Sequence, residues 1–158
     1  MPDKPPSALR AILFADAAEY TRHVQAQEQV TLDYMERCFA VFRDLAGAHG
    51  GEVLKTMGDG LLVEFASASA SVVYALSAQD RLAALSEPLP REHQIRFRIG
   101  IHLGEVQHRD GDVYGHIVNV ASRLEHLAEP GGICISQAVF DQVRQSVSAT
   151  YASLGRRA

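Results

Sequence analysis

Hydrophobic spacing changes period several times along this chain, and each change marks an element. Leu9-Arg10-Ala11-Ile12-Leu13-Phe14-Ala15 is a mostly apolar run that stops at Asp16, the pattern of a strand buried on both faces. Across residues 21–48, Val24, Val30, Met35, Cys38, Phe39, Phe42 and Leu45 stand among polar residues, several of them three or four apart. A long amphipathic helix is predicted there, ending before Gly50-Gly51 and with a weak point near residues 27–29. Two short runs, 52–56 and 61–65, flank Met57-Gly58-Asp59-Gly60, and a glycine on each side of an aspartate predicts an antiparallel hairpin. Residues 66–85 are alanine-rich, carry Val72, Val73, Leu76 and Leu82, and run up to Pro88-Leu89-Pro90, so a second helix is expected. Residues 94–107 alternate over Ile95, Phe97, Ile99 and Ile101, a half-buried strand followed by a loop at Arg109-Asp110-Gly111-Asp112. A helix over 115–127, a short strand over 132–136 and a helix over 137–145 complete the pattern.

The order strand, helix, hairpin, helix, strand, with further αβ elements at the C-terminal end, predicts an α+β fold. It suits a ferredoxin-like βαββαβ sandwich with helices on one face of an antiparallel sheet. In that topology the second strand runs parallel to the first and the third lies between them. The tip of the first strand and the hairpin turn then share one edge, which makes Asp16 and Asp59 expected neighbours.

Composition narrows the classes. The chain has 158 residues, enough to bury about 70% of its unfolded surface in one core without metals or disulfides. Its 47% hydrophobic and 22% charged residues exclude a disordered or fibrous chain. Fifteen Lys plus Arg against nineteen Asp plus Glu give a net charge of −4, which speaks against nucleic-acid binding through a broad basic face. The predicted strands also lack the exposed aromatic platform of an RNA-binding domain of this type. No apolar stretch has the length of a membrane span, and the Pro-rich start lacks the apolar core of a signal peptide. A short leader, residues 1–8, before a single domain over 9–158 is expected, located in the cytoplasm. Cys38 and Cys134 read as buried thiols, and the seven histidines show no spacing suited to zinc.

Two carboxylates converging at a sheet edge repel one another unless a proton or a cation separates them, and hard divalent cations take oxygen ligands. Asp16 and Asp59 are thus candidate metal ligands. The alternative, with Asp59 capping its own hairpin and Asp16 ending a strand, has equal standing on spacing alone.

Three segments, Phe14-Ala15-Asp16-Ala17-Ala18-Glu19-Tyr20-Thr21, Lys55-Thr56-Met57-Gly58-Asp59-Gly60 and the stretch from Asp112-Val113-Tyr114-Gly115 through Asn119 to Arg123, occur in one order on the expected elements. Together they resemble the class III adenylyl/guanylyl cyclase catalytic domain, over about Leu9 to Gly155. The resemblance implies that Asp16 and Asp59, with the backbone carbonyl of Ala17, hold two divalent cations, Mg2+ or Mn2+, over a nucleoside triphosphate. It implies that Lys55 and Asp112 read the purine, and that Asn119 and Arg123 position the ribose and stabilise the pentavalent phosphorus. In the family the latter four reach the substrate from the partner subunit, so the resemblance implies an obligatory homodimer. Adenine offers an amino donor and a ring-nitrogen acceptor, which an Asp acceptor and a Lys donor complement. ATP is therefore the expected substrate, and cyclic AMP for intracellular signal transduction the expected product. With thirteen arginines in the chain and only Lys4 as another lysine, Lys55 stands out from the background.

Two departures from the family pattern carry expectations of their own. Glu19 replaces a common glycine beside the expected triphosphate. The chain ends at Leu154-Gly155-Arg156-Arg157-Ala158, where family members continue into a hairpin bearing a phosphate-binding lysine, so a truncated, weakened domain is expected. A nucleotide-binding or dimerisation module without catalysis, and a guanylyl cyclase, are the alternatives.

Overall fold

The computed structural model describes residues 7–156. In chain order the elements are β1 (Ser7–Ala17), α1 (Tyr20–Ala26), α2 (Glu28–Ala48), β2 (Gly51–Thr56), β3 (Gly60–Phe65), α3 (Ala68–Ser86), β4 (Phe97–Arg109), β5 (Asp112–Tyr114), α4 (His116–Leu127), β6 (Ile133–Ile135) and α5 (Gln137–Val143). The sheet runs β2-β3-β1-β4-β5, and β6 pairs parallel with β4. β3 lies between β2 and β1 and antiparallel to both, as the ferredoxin-like topology requires.

β1 sits at the centre, and its alternation divides the interior into two cores. Ala11, Leu13 and Ala15 point to the larger one, closed by α2, α3 and α5. There Phe42 meets Phe97 edge-on at 5.2 Å between ring centroids, Phe65 lies 5.0 Å from Tyr74, and the Tyr74 hydroxyl donates to the Phe42 carbonyl at 2.9 Å. Burial pushes the Cys38 thiol in this core up to about 12, so it serves as packing. On the other face Ile12 joins Leu62, Val106 and Val113 under Ile117 and Ala121 of α4. Burial on both faces explains why β1 reads as a nearly continuous apolar run rather than an alternating one.

Local chemistry sets the element ends. The long N-terminal helix is two helices: Gln27, at φ −152°, breaks it, and the Thr31 hydroxyl bridges the break by donating to the His23 carbonyl at 3.0 Å. Ser67 caps α3 by accepting from the Ala70 amide, and Ser136 caps α5 by accepting from the Val139 amide.

Four features differ from the sequence expectation. α4 lies on the opposite face of the sheet from α2 and α3, so the helices do not all share one side. The expected loop after β4 is a two-residue turn: Asp110 and Gly111 both take left-handed backbone, which matches strand twist and admits the extra strand β5. A single 3-10 turn, Arg91–His93, precedes the expected strand, which begins only at Phe97 instead of residue 94. The strand β1 already includes Ser7, so only residues 1–6 of the expected leader precede it, and they lie outside the described residues.

Candidate functional site

Asp16 is the penultimate residue of β1, opposite Gly60 of β3 on one side and Arg98 of β4 on the other. The Ala17 amide donates to the Asp59 carbonyl at 2.8 Å, which fixes the hairpin turn against the strand tip. A side chain at Gly60 would collide with the Ala15 carbonyl and Asp16, so only glycine permits this approach. The structure thus brings Asp16 and Asp59 together, both half-buried, with the backbone of Ala17 between them.

A third carboxylate joins them that sequence reasoning missed. Glu125 comes down from α4 with its side chain 2% exposed, places a carboxyl oxygen within 4.8 Å of the Asp16 carboxyl, and leaves Oε1 without a hydrogen-bond donor. Its Oε2 lies 3.3 Å from Nε2 of the exposed His126. Burial, then the neighbouring Asp16 carboxyl and the charge of Asp59, push the Glu125 carboxyl well above the usual range, while Arg98 opposes the shift. Asp16, Glu125 and His126 each present a donor atom within 4.8 Å of one another. The Arg98 Nε is buried with no hydrogen bond. The Asp59 carboxyl lies outside that 4.8 Å group but near enough for its charge to act on Glu125; two close carboxyls with a third nearby, and an orphaned buried oxygen among them, are a donor set that fits a hard divalent cation. The overlooked signal was a charged residue at the third position of the stripe Ile117, Ala121, Glu125, where helical spacing calls for an apolar side chain.

Lys55 and Asp112 lie 57 residues apart in sequence, on strands at the two ends of the path β2-β3-β1-β4-β5, yet Lys55 Nζ donates to Asp112 Oδ2 at 3.2 Å. The sheet curls enough for its outer strands to meet across the α4 face. The Val113 amide donates to Asp112 Oδ1 at 2.8 Å and, with Lys55, holds this carboxyl below the usual range. The pair is solvated, with side chains 44% and 32% exposed, so it contributes little to stability and leaves a donor and an acceptor side by side at the surface.

Asn119 and Arg123 do not approach the carboxylates of their own chain. Ile117, Ala121 and Glu125 form the buried stripe of α4, and at about 100° per residue Asn119 and Arg123 fall on the opposite side. Both side chains are exposed and bond to no other described residue. Glu19 precedes α1 in left-handed backbone at φ 57°, which explains the advantage of glycine there. Its carboxylate turns outward to Arg22 at 2.9 Å, and that contact lowers its pKa.

No described helix is long and apolar enough to cross a membrane.

Residues 4–155 match the family described as the adenylate and guanylate cyclase catalytic domain. The chain is 40% identical over 148 residues to "Putative adenylate cyclase 3" of Rhizobium meliloti (strain 1021), covering 93% of this chain and 25% of that protein. It is 32% identical over 134 residues to an adenylate cyclase of Streptomyces coelicolor, covering 84% of this chain and 34% of that protein. It therefore spans only a quarter to a third of these curated relatives. The crystal structure of an adenylate/guanylate cyclase/hydrolase from Silicibacter pomeroyi superposes with a TM-score of 0.89 at 37% identity, over 96% of this chain and 89% of that one. The adenylyl cyclase CyaB from P. aeruginosa, at 21% identity, shares the fold with a TM-score of 0.82 over 92% of this chain and 85% of that one. With the family pattern matched along nearly its whole length, this chain belongs to the adenylate and guanylate cyclase catalytic domains.

Proposed function

We propose that the domain converts ATP to 3′,5′-cyclic AMP and pyrophosphate in sites shared across a homodimer, and that it does so in the cytoplasm. The observation that carries the choice of ATP is the Lys55–Asp112 pair, a donor and an acceptor held 3.2 Å apart at the surface. Asp112 accepts from the adenine amino group and Lys55 donates to a ring nitrogen; guanine presents the reverse pattern. Asp16 and Asp59, with the Ala17 carbonyl, would hold two divalent cations, Mg2+ or Mn2+. When bound, such cations acidify the ribose 3′-hydroxyl, polarise the α-phosphate and neutralise the departing pyrophosphate. Arg98, beside Asp16, adds fixed positive charge for the triphosphate.

In the reaction the 3′-oxygen forms a bond to the α-phosphorus as the bond to the β-phosphate oxygen breaks, and the hydroxyl proton passes to water. Asn119 orients the ribose, and the Arg123 guanidinium stabilises the equatorial charge at phosphorus. Both point away from their own Asp16, which supports their serving a second subunit's site.

The test is to incubate the purified chain with ATP or GTP and Mn2+ and measure cyclic nucleotide. Cyclic AMP is expected in excess over cyclic GMP by roughly tenfold or more, the worth of one mismatched buried polar group. Equal use of both nucleotides would refute the base assignment. For the shared site, Asp59→Ala and Arg123→Ala are each expected to be inactive alone, yet to recover about a quarter of the normal rate when mixed in equal amounts with free subunit exchange. Half the dimers are then mixed, and each has one intact site of two. No recovery, with exchange verified by labelled chains, would rule out sharing.

A further inference from the structure

Helix α4 carries one residue that its packing alone does not explain. Its sheet-facing stripe is Ile117, Ala121 and Glu125, all buried, and an apolar side chain would fill the third position without stranding a polar oxygen. The backbone is adapted to bring that carboxyl down: a side chain at Gly100 of β4 would overlap the Glu125 amide and the Ala121 carbonyl, so glycine lets α4 settle directly onto the sheet. Gly100 is two residues from Arg98, on the same sheet face, and Arg98 is the cross-strand partner of Asp16. The result is a carboxyl 2% exposed, within 4.8 Å of the Asp16 carboxyl and with Oε1 free of any donor, beside two half-buried aspartates.

We propose that Glu125 is a positioning residue: its carboxyl holds the Asp16 side chain in the orientation that receives a divalent cation, and so ties cation occupancy to helix α4. The inference rests on the reading of Asp16 and Asp59 as the cation-holding residues. Glu125 is buried beneath α4, whereas Asp16 and Asp59 are half-buried and reach solvent, so it acts on the cation through Asp16. The same helix carries Asn119 and Arg123 on its outer side. Fixing Asp16 to Glu125 therefore also fixes the element that presents those two residues.

The probe is Mn2+ alone, titrated into nucleotide-free protein and followed by the electron paramagnetic resonance of free Mn2+. Glu125→Gln keeps the shape and offers Asp16 an amide donor, and is expected to bind within about threefold of the unaltered chain. Glu125→Ala leaves space and Glu125→Leu fills it; whichever folds, as judged by circular dichroism, is expected to bind about 10–100-fold more weakly, the usual cost of losing a residue that orients a metal ligand. The rise in melting temperature on adding Mn2+ should shrink in parallel. Unchanged Mn2+ affinity in a folded Ala or Leu variant would make Glu125 merely structural and overturn the proposal. A Gln variant as weak as Ala would make it a direct ligand, and absence of Mn2+ binding by the unaltered chain would also overturn it. Cyclase assays on the same samples keep the two readings apart: the expected Mn2+ pattern without cyclic nucleotide would sink the proposed activity and leave this inference standing.

Discussion

Two points along β1 place a carboxyl in the interior on the α4 face, with opposite electrostatic outcomes. Opposite Ile12, midway along the strand, Glu64 of β3 is 7% exposed, but Arg10 Nε lies 3.3 Å from one oxygen and His108 Nε2 lies 2.6 and 2.9 Å from the two. At the far end, Glu125 is at least as buried, and its nearest polar neighbours include two more acids. Burial by itself therefore does not mark a functional carboxyl. Glu64 is matched from within the chain and reads as structure, whereas the Asp16–Asp59–Glu125 group holds surplus negative charge that suits a cation from outside.

The sharpest way to break this contrast is to neutralise one acid at each place. Asp16→Ala or Asp59→Ala should lower cyclic nucleotide formation by more than about a hundredfold, at least the loss seen when one preorganised charge-stabilising group is removed. Glu64→Gln should leave turnover within a few-fold and instead reduce stability by about 1–3 kcal/mol, read as a lower Tm, because it leaves Arg10 and His108 poorly matched. A stable Glu64→Gln protein that is as inactive as Asp59→Ala would erase the distinction.

Lys55–Asp112 is the intermediate case, a carboxylate matched from within the chain but open to solvent. Exchanging the roles with Lys55→Glu and Asp112→Cys should lower ATP turnover roughly tenfold or more while leaving Tm nearly unchanged. A large loss of stability instead would make the pair structural, like Glu64.

Smaller effects are expected at the exposed edge of the same site. Glu19→Gly relieves left-handed backbone and removes a negative charge near the expected triphosphate; Tm should rise by about 2–4 °C, with tighter nucleotide binding. An unchanged Tm would place no strain at residue 19. The smallest effect concerns His23, buried in α1, whose pKa is lowered by burial and then by Arg22. A histidine with a depressed folded-state pKa contributes stability above its ordinary value of 6.5 and loses it as the pH falls. Melting temperatures should therefore drop between pH 7 and 5 more steeply than in His23→Gln; parallel curves would refute the shift.

How much of this was legible from sequence depended on whether local pattern or distant packing made the decision. The convergence of Asp16 and Asp59 followed from element order, since βαββαβ connectivity leaves β3 only one place. The Gln27 break was suggested by the interruption in apolar spacing. The side of the sheet taken by α4 was not legible, because an amphipathic stripe shows that a helix is covered but not by which face. Glu125 was hidden for a related reason: in sequence it is one more acid in a polar stretch, and only contact with Asp16 gives it meaning.

By itself the sequence determined the strand and helix types, the ferredoxin-like order and the three segments that identify the family, because these depend on periodicity, turn chemistry and residue identity at fixed spacing. Tertiary structure alone decided that Lys55 and Asp112 touch across 57 residues, that Asn119 and Arg123 turn away from their own carboxylates, and that Glu125 stands unmatched beside Asp16. Those are results of sheet curl, helix docking and desolvation, which arise from the chain as packed and have no local signature along it.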